Sequence, residues 1–324
     1  MRISISSLIL ILLFLNASAQ DSPLIVQQSL IENWEELPVY PYISDTIDGR
    51  VQLLPEYRFL DSVKVYRITY MSDGLRVTGY LGVPAGDGPH PCIIYNRGGN
   101  KNFGAVTPAM VVFWMGSLLR EGYVVIASNY RGNGGGEGME EFGGKDVDDV
   151  VILPAVLAEI PEADTSRIGM YGWSRGGMMT YMAMTRMPEL RAVAVGGGVT
   201  DHFTLLADRP GMESVYQELV PDYENRRDAA LEERSAVMWA DQIPTNIPML
   251  IMHGTSDWRV KPDQSLRLAL ELEKYRIPFR LIMFEGGDHG LSEFNSEVEE
   301  QALHWFNKYV RDKEPLPDME YHGK

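Results

Sequence analysis

The sequence predicts an α/β fold, with a mostly parallel central sheet covered by helices on both faces. Three observations predict it. Short apolar runs alternate with helix-like segments from Cys92 to Val310, and repeated β-α alternation builds a parallel sheet between two helical layers. Ahead of them, Val63–Tyr70 and Val77–Val83 flank the turn Met71-Ser72-Asp73-Gly74 and read as an antiparallel hairpin. Finally, in Tyr171-Gly172-Trp173-Ser174-Arg175-Gly176-Gly177 a serine sits between glycines where a predicted strand gives way to a helix.

The N-terminal residues stand apart from this pattern. Met1-Arg2 supplies one positive charge, Leu8–Leu15 is continuously apolar, and Ala17-Ser18-Ala19 is a small-residue cleavage pattern. Residues 1–19 are therefore expected to be a secretory signal peptide cleaved just before Gln20. The apolar run falls short of the ~20 residues a membrane span needs, so the mature chain is expected to be secreted or periplasmic, without stable membrane association. Residues 20–62 mix prolines, aromatics and acids and read as an arm with one short helix at Gln27–Glu35.

The folded body is expected at 63–312, followed by a tail at 313–324. After the hairpin, Cys92–Tyr95 is a short strand, and Pro108–Leu119 is a helix with Gly122 just past its end. Tyr123–Ser128 is a strand, and Asp146–Ile160 a helix kinked by Pro154. Strands Arg167–Tyr171 and Ala192–Val195 flank the helix that follows Ser174. Pro248–Met252, Pro262–Tyr275, Phe279–Phe284 and Phe294–Val310 then continue as strand, helix, strand, helix. A hairpin leading into such a parallel array is the arrangement of an α/β-hydrolase. Residues 201–245 break the rhythm, being too long for a plain connection. An inserted helical cap over the site is expected there; a surface excursion without substrate contact is the alternative.

Composition narrows the function. The 324 residues are 45% hydrophobic and 23% charged, as in an ordinary globular protein, and the formal net charge is −16. Such a surface repels nucleic acid and anionic lipid. The single cysteine, Cys92, lies in an apolar strand and reads as a small buried hydrophobe. No Cys/His pair has metal-ligand spacing, and no cofactor is implied.

Chemistry concentrates at three positions. A G-x-S-x-G at a strand–helix junction is the nucleophile-elbow pattern, in which a strained turn exposes the serine hydroxyl beneath a helix N-terminus. That serine needs a base, and the base an orienting acid. Among the six histidines, His289 is the candidate base, because Gly286-Gly287-Asp288-His289-Gly290 directly follows the last core strand. His90, His202, His304 and His322 occupy a turn, the expected cap, a late helix and the tail; His253 ends a strand and supports the loop after it. Asp257 follows a core strand and completes the order Ser, Asp, His. Asp288 is its rival, though adjacent to His289 it suits loop capping better. For the oxyanion, one donor is expected from the backbone N–H of Arg175. The other is expected from the loop Tyr95-Asn96-Arg97-Gly98-Gly99-Asn100, at Arg97 or Gly98. The glycine-rich run from Arg131 to Gly138 reads as architectural, with Arg131 placed to pair with a carboxylate. Met178, Met179, Met182, Met184 and Met187 read as core packing.

These segments together resemble the catalytic domain of the prolyl oligopeptidase family of serine peptidases. The likeness runs from Val63 to Val310 and includes Ser72-Asp73-Gly74, Asn129-Tyr130-Arg131-Gly132, Gly172–Gly177, Asp257 with Val260, and His289-Gly290. It implies Ser174 as nucleophile, Asp257 as orienting acid and His289 as general base. Three departures accompany it. Many members carry a propeller ahead of this domain, whereas a short arm precedes the sheet here. Well-known peptidases of the family place a tyrosine where Arg97 stands, and the acidic residues that bind a peptide amine lie in the propeller. An exported serine peptidase acting on short or accessible peptides is expected. A carboxylesterase acting on small or carbohydrate esters is the alternative, and a non-catalytic binding protein is a third reading.

Overall fold

The computed structural model describes residues 22–47 and 49–323; the expected signal peptide lies outside the described residues. In chain order the arm contains β1 (Ile25–Leu30), α1 (Tyr40–Ile43), β2 (Ser44–Ile47) and β3 (Arg50–Leu53). The body follows with β4 (Lys64–Ser72), β5 (Leu75–Val83), β6 (His90–Asn96), α2 (Pro108–Arg120) and β7 (Val124–Ser128). Next come α3 (Asp148–Val151), α4 (Leu153–Leu157), β8 (Ala163–Trp173), α5 (Arg175–Met184) and β9 (Ala192–Gly196). Three helices then intervene, α6 (His202–Asp208), α7 (Met212–Leu219) and α8 (Tyr223–Glu233). The chain closes with β10 (Met249–Gly254), α9 (Asp263–Lys274), β11 (Phe279–Phe284) and α10 (Asn295–Phe306).

Among the described residues nine strands form one sheet in the order β1-β4-β5-β7-β6-β8-β9-β10-β11. Neighbours from β7 through β11 are parallel, and β1, β4 and β5 join antiparallel at one edge. Every residue of β7, β9 and β10 is buried, which is why these strands read as unbroken apolar runs. Their side chains alternate between two cores. Met249 and Ile251 share a core with Met178 and Met179 of α5 and Leu268 of α9 on one face; Leu250 and Met252 share a second core with Met115 of α2 and Phe306 of α10 on the other. Each such side chain, fully buried, contributes roughly 1.5–3 kcal/mol. Met184 and Met187 join the first core and Met182 packs against it. Cys92 is buried, and burial pushes its thiol up to about 12.

Two expectations change. The segment read as a helix at Gln27–Glu35 holds strand β1 instead, paired antiparallel with β4, followed by a single 3₁₀ turn at Trp34–Glu36. The helix expected across Asp146–Ile160 with a kink at Pro154 breaks fully into α3 and α4 there, because Pro154 in the first turn of α4 has no N–H to continue the ladder. β6 lies between β7 and β8, so the chain leaves it in both directions and opens a crevice beyond the strands' C-terminal ends. Ligands in open α/β sheets bind at such a switch point.

Candidate active site

Ser174 stands at that crevice between β8 and α5 with φ 58° and ψ −122°. A non-glycine residue held there costs about 1–3 kcal/mol, so neighbours must fix it. The Ser174 N–H donates to Gly196 O at 2.9 Å, and Gly177 N–H donates to Ser174 O at 2.9 Å. α5 begins at Arg175, whose N–H belongs to the first helical turn, where donors lack an intrahelical partner. The elbow is pressed against β6: a Cβ on Gly176 would lie 1.9 Å from Asn96 O. Backbone cannot yield as a side chain does. Gly176→Ala is therefore expected to destabilise the fold by about 3 kcal/mol, at the upper end of overpacking costs, read as a lowered urea midpoint at unchanged slope.

His289 follows β11 and faces the same cavity as Ser174. Its Nδ1 lies 2.6 Å from Asp257 Oδ2, and Trp173 Nε1 donates to His289 O at 2.9 Å, tying the histidine loop to the residue before the serine. No hydrogen bond joins Ser174 to His289 in this structure; such bonds are often long without substrate and tighten in the complex. The Asp257 side chain is fully buried. Its Oδ1 accepts from Arg259 N–H at 2.8 Å and Val260 N–H at 3.0 Å. Burial opposes its ionisation, yet hydrogen bonding from His253 and His289 holds the carboxyl well below the usual carboxylate range. His253 supports this loop, as the sequence suggested, with Nδ1 2.6 Å from Ser265 Oγ and Nε2 2.8 Å from Val260 O. Asp288 caps its own loop, Oδ1 accepting from Gly290 N–H at 2.9 Å, and does not bond His289. His202 is buried against Tyr216, Nδ1 to Oη 2.6 Å. Burial, then the charges of Arg234 and Arg175, pull its imidazole down to about 3.

The loop after β6 lies beside the elbow. A Cβ on Gly98 would come within 2.9 Å of the backbone oxygen of Trp173 and 3.2 Å of Ser174 Cβ, so a side chain there would push the loop off the elbow. Sequence reasoning assigned Arg97 and Arg175 through their backbone alone and missed their side chains. Arg175 is buried, paired with Glu140 and, at 2.5 Å, with Asp146 Oδ2; its Nη1 donates to Gly99 O at 2.9 Å. Glu140 also accepts from Lys101 N–H. The Arg97 guanidinium is buried too, and burial, then the charge of Arg175, pulls it down to about 10, so it is ionised at neutral pH. Arg131 does pair as expected, with Asp149 at 2.8 Å and Asp73 at 2.8 Å.

The cavity at Ser174 has a volume of about 380 Å³ and walls of Phe103, Met110, Trp114, Trp173 and Trp258, with Arg259 at the side. Residues 201–245 do form a helical insertion, but none of them lines this cavity. Leu205, Tyr216, Leu219 and Leu231 instead bury themselves in the core on the α5 face. Apolar burial has fixed the insertion beside the site, where Arg209 stacks on Trp258 at 5.6 Å. Among the described residues no group of His, Cys, Asp and Glu is arranged to hold a metal.

Residues 110–313 match the pattern that defines the Prolyl oligopeptidase family. The chain is 30% identical over 245 residues to the uncharacterized peptidase YtmA of Bacillus subtilis, covering 75% of this chain and 93% of that one. Among solved structures, a Mycobacterium tuberculosis puromycin-hydrolyzing peptidase superposes with a TM-score of 0.67 at 27% identity, over 82% of this chain and 43% of that chain. Pyrococcus horikoshii acylaminoacyl peptidase shares the fold, with a TM-score of 0.68 at 24% identity over 84% of this chain and 47% of that one. The chain thus spans less than half the length of those two structures.

Proposed function

The chain belongs to the prolyl oligopeptidase family of serine peptidases, and from that premise we propose that it hydrolyses amide bonds of short or accessible peptides through Ser174, His289 and Asp257. One observation carries the residue assignment. A strained elbow serine shares a cavity with a histidine whose Nδ1 is held by a buried aspartate at 2.6 Å.

In this reading His289 Nε2 takes the Ser174 proton as Oγ attacks the substrate carbonyl carbon. The carbonyl electron pair moves to oxygen, and the tetrahedral oxyanion accepts hydrogen bonds from Arg175 N–H and from the Gly98-Gly99 stretch. On collapse of the intermediate the C–N bond breaks and His289 gives its proton to the leaving amine. Water, deprotonated by His289, then cleaves the acyl–Ser174 ester and restores the serine. Asp257 stays ionised throughout, fixing the imidazole so that Nε2 faces the serine. The aromatic cavity favours a large apolar or aromatic group beside the scissile bond.

The test is a panel of peptide anilides and short acyl esters, with Ser174→Ala protein as blank. Ser174-dependent anilide cleavage supports the peptidase reading. Ester cleavage with no anilide turnover contradicts it in favour of a carboxylesterase. We also propose export, on the charge, apolar run and Ala17-Ser18-Ala19 of the leader. Expression in a secreting host should then yield a mature protein beginning at Gln20; an intracellular product retaining Met1 would rule export out.

A further inference from the structure

Arg97 is a wholly buried guanidinium that bonds no carboxylate. Burying a charge is costly unless it is paired or richly hydrogen-bonded, and here every bond goes to a backbone carbonyl. Nε and Nη2 both donate to Asn129 O, at 3.1 and 3.0 Å. Nη1 donates to Gly98 O at 3.2 Å and Phe103 O at 3.3 Å. The guanidinium lies over the Tyr130 ring at 5.0 Å, and Tyr130 Oη donates back to Arg97 O at 3.1 Å. A second guanidinium takes the next carbonyl, Arg175 Nη1 donating to Gly99 O. The carbonyls on either side of Gly99 are therefore both drawn toward buried arginines. In a trans peptide the N–H points away from the C=O. The unit joining Gly98 to Gly99 thus presents the Gly99 N–H on the edge opposite Arg97, in a loop that lines the Ser174 cavity.

We propose that Arg97 is a positioning residue for the oxyanion site, holding the Gly98–Gly99 peptide so that the Gly99 N–H serves as the second donor. The guanidinium suits this task because one rigid fork reaches Asn129 O, Gly98 O and Phe103 O together. An ammonium keeps the charge but not the fork. The proposal rests on Ser174 being the nucleophile.

The experiment compares wild type, Arg97→Lys and Arg97→Met, with folding checked by circular dichroism and thermal melting. It measures kcat and KM on the best anilide or ester of the panel, and binding of a peptide aldehyde, whose adduct places an oxyanion in the hole. Loss of kcat by about 10²–10³-fold in both variants, with KM changed less than about threefold and aldehyde affinity falling by the factor lost in kcat/KM, is expected. Unchanged kcat, a loss confined to KM, or unchanged aldehyde affinity would overturn the proposal, as would failure of both variants to fold, which would make Arg97 purely structural. A wild type without Ser174-dependent turnover would instead remove the premise.

Discussion

Ser174→Ala is expected to reduce turnover by roughly 10⁴–10⁶-fold while the protein stays folded. The size of the loss follows from covalent chemistry: without Oγ no acyl-enzyme forms, and only the oxyanion donors and binding contacts remain to assist direct attack by water. The fold should survive because Ser174 lines a cavity and is held through its backbone, by the bonds to Gly196 and Gly177. Alanine meets the same strain at φ 58°, so stability should change by less than about 0.5 kcal/mol. Steady-state rates and urea midpoints on the same preparation check both halves. A variant that keeps a tenth of the wild-type rate would place the nucleophile elsewhere.

Asp257→Asn should cost about 10⁴-fold in kcat through the tautomer of His289. Asparagine can keep the bonds from Arg259 and Val260 N–H by presenting its oxygen to them, which turns its NH₂ toward His289 Nδ1. That nitrogen must then accept, the proton moves to Nε2, and Nε2 cannot take the serine proton. The substitution also changes acid stability. The Asp257 carboxyl is held below its ordinary value in the folded state. The unfolded chain therefore binds its proton first as pH falls, and the stabilisation, complete above the unfolded value of about 3.9, is lost as pH drops toward the folded one. Wild type should lose stability through this acid range by a component that Asp257→Asn lacks. Parallel urea midpoints at pH 5 and pH 3 measure it; identical acid losses in the two proteins would mean that the bonds at His253 and His289 do not hold the carboxyl down.

Much of this arrangement is legible in the chain. The buried parallel strands announce themselves as apolar runs, and the helix–strand junctions carry their own markers, such as Gly122 at φ 84° after α2. Ser174, Asp257 and His289 each follow a core strand, so alternation alone brings them to one sheet edge. The order Ser, Asp, His and the adjacency of Asp288 to His289 already favoured Asp257, and the 2.6 Å separation of Asp257 Oδ2 from His289 Nδ1 agrees with it. β1 was not legible: Ile-Val-Gln-Gln-Ser-Leu lacks period-two alternation because it runs exposed along the sheet edge, held by backbone pairing with β4 rather than by a buried face. The insertion's helices could be anticipated but not their placement, which depends on Tyr216 and Leu231 finding the core beside α5. The side chains of Arg97 and Arg175 were least visible. Apart from Gly98 and Phe103 beside Arg97, their partners lie far along the chain, Asn129 for one and Glu140 with Asp146 for the other, and no local pattern signals a buried guanidinium.

Labelling the purified protein with a fluorophosphonate and mapping the adduct by peptide mass spectrometry tests the assignment of the site most directly. A single adduct on Ser174, forming in step with loss of anilide hydrolysis and absent in Asp257→Asn over the same interval, is the result expected. An adduct on another residue, or full activity in protein labelled at Ser174, would contradict it.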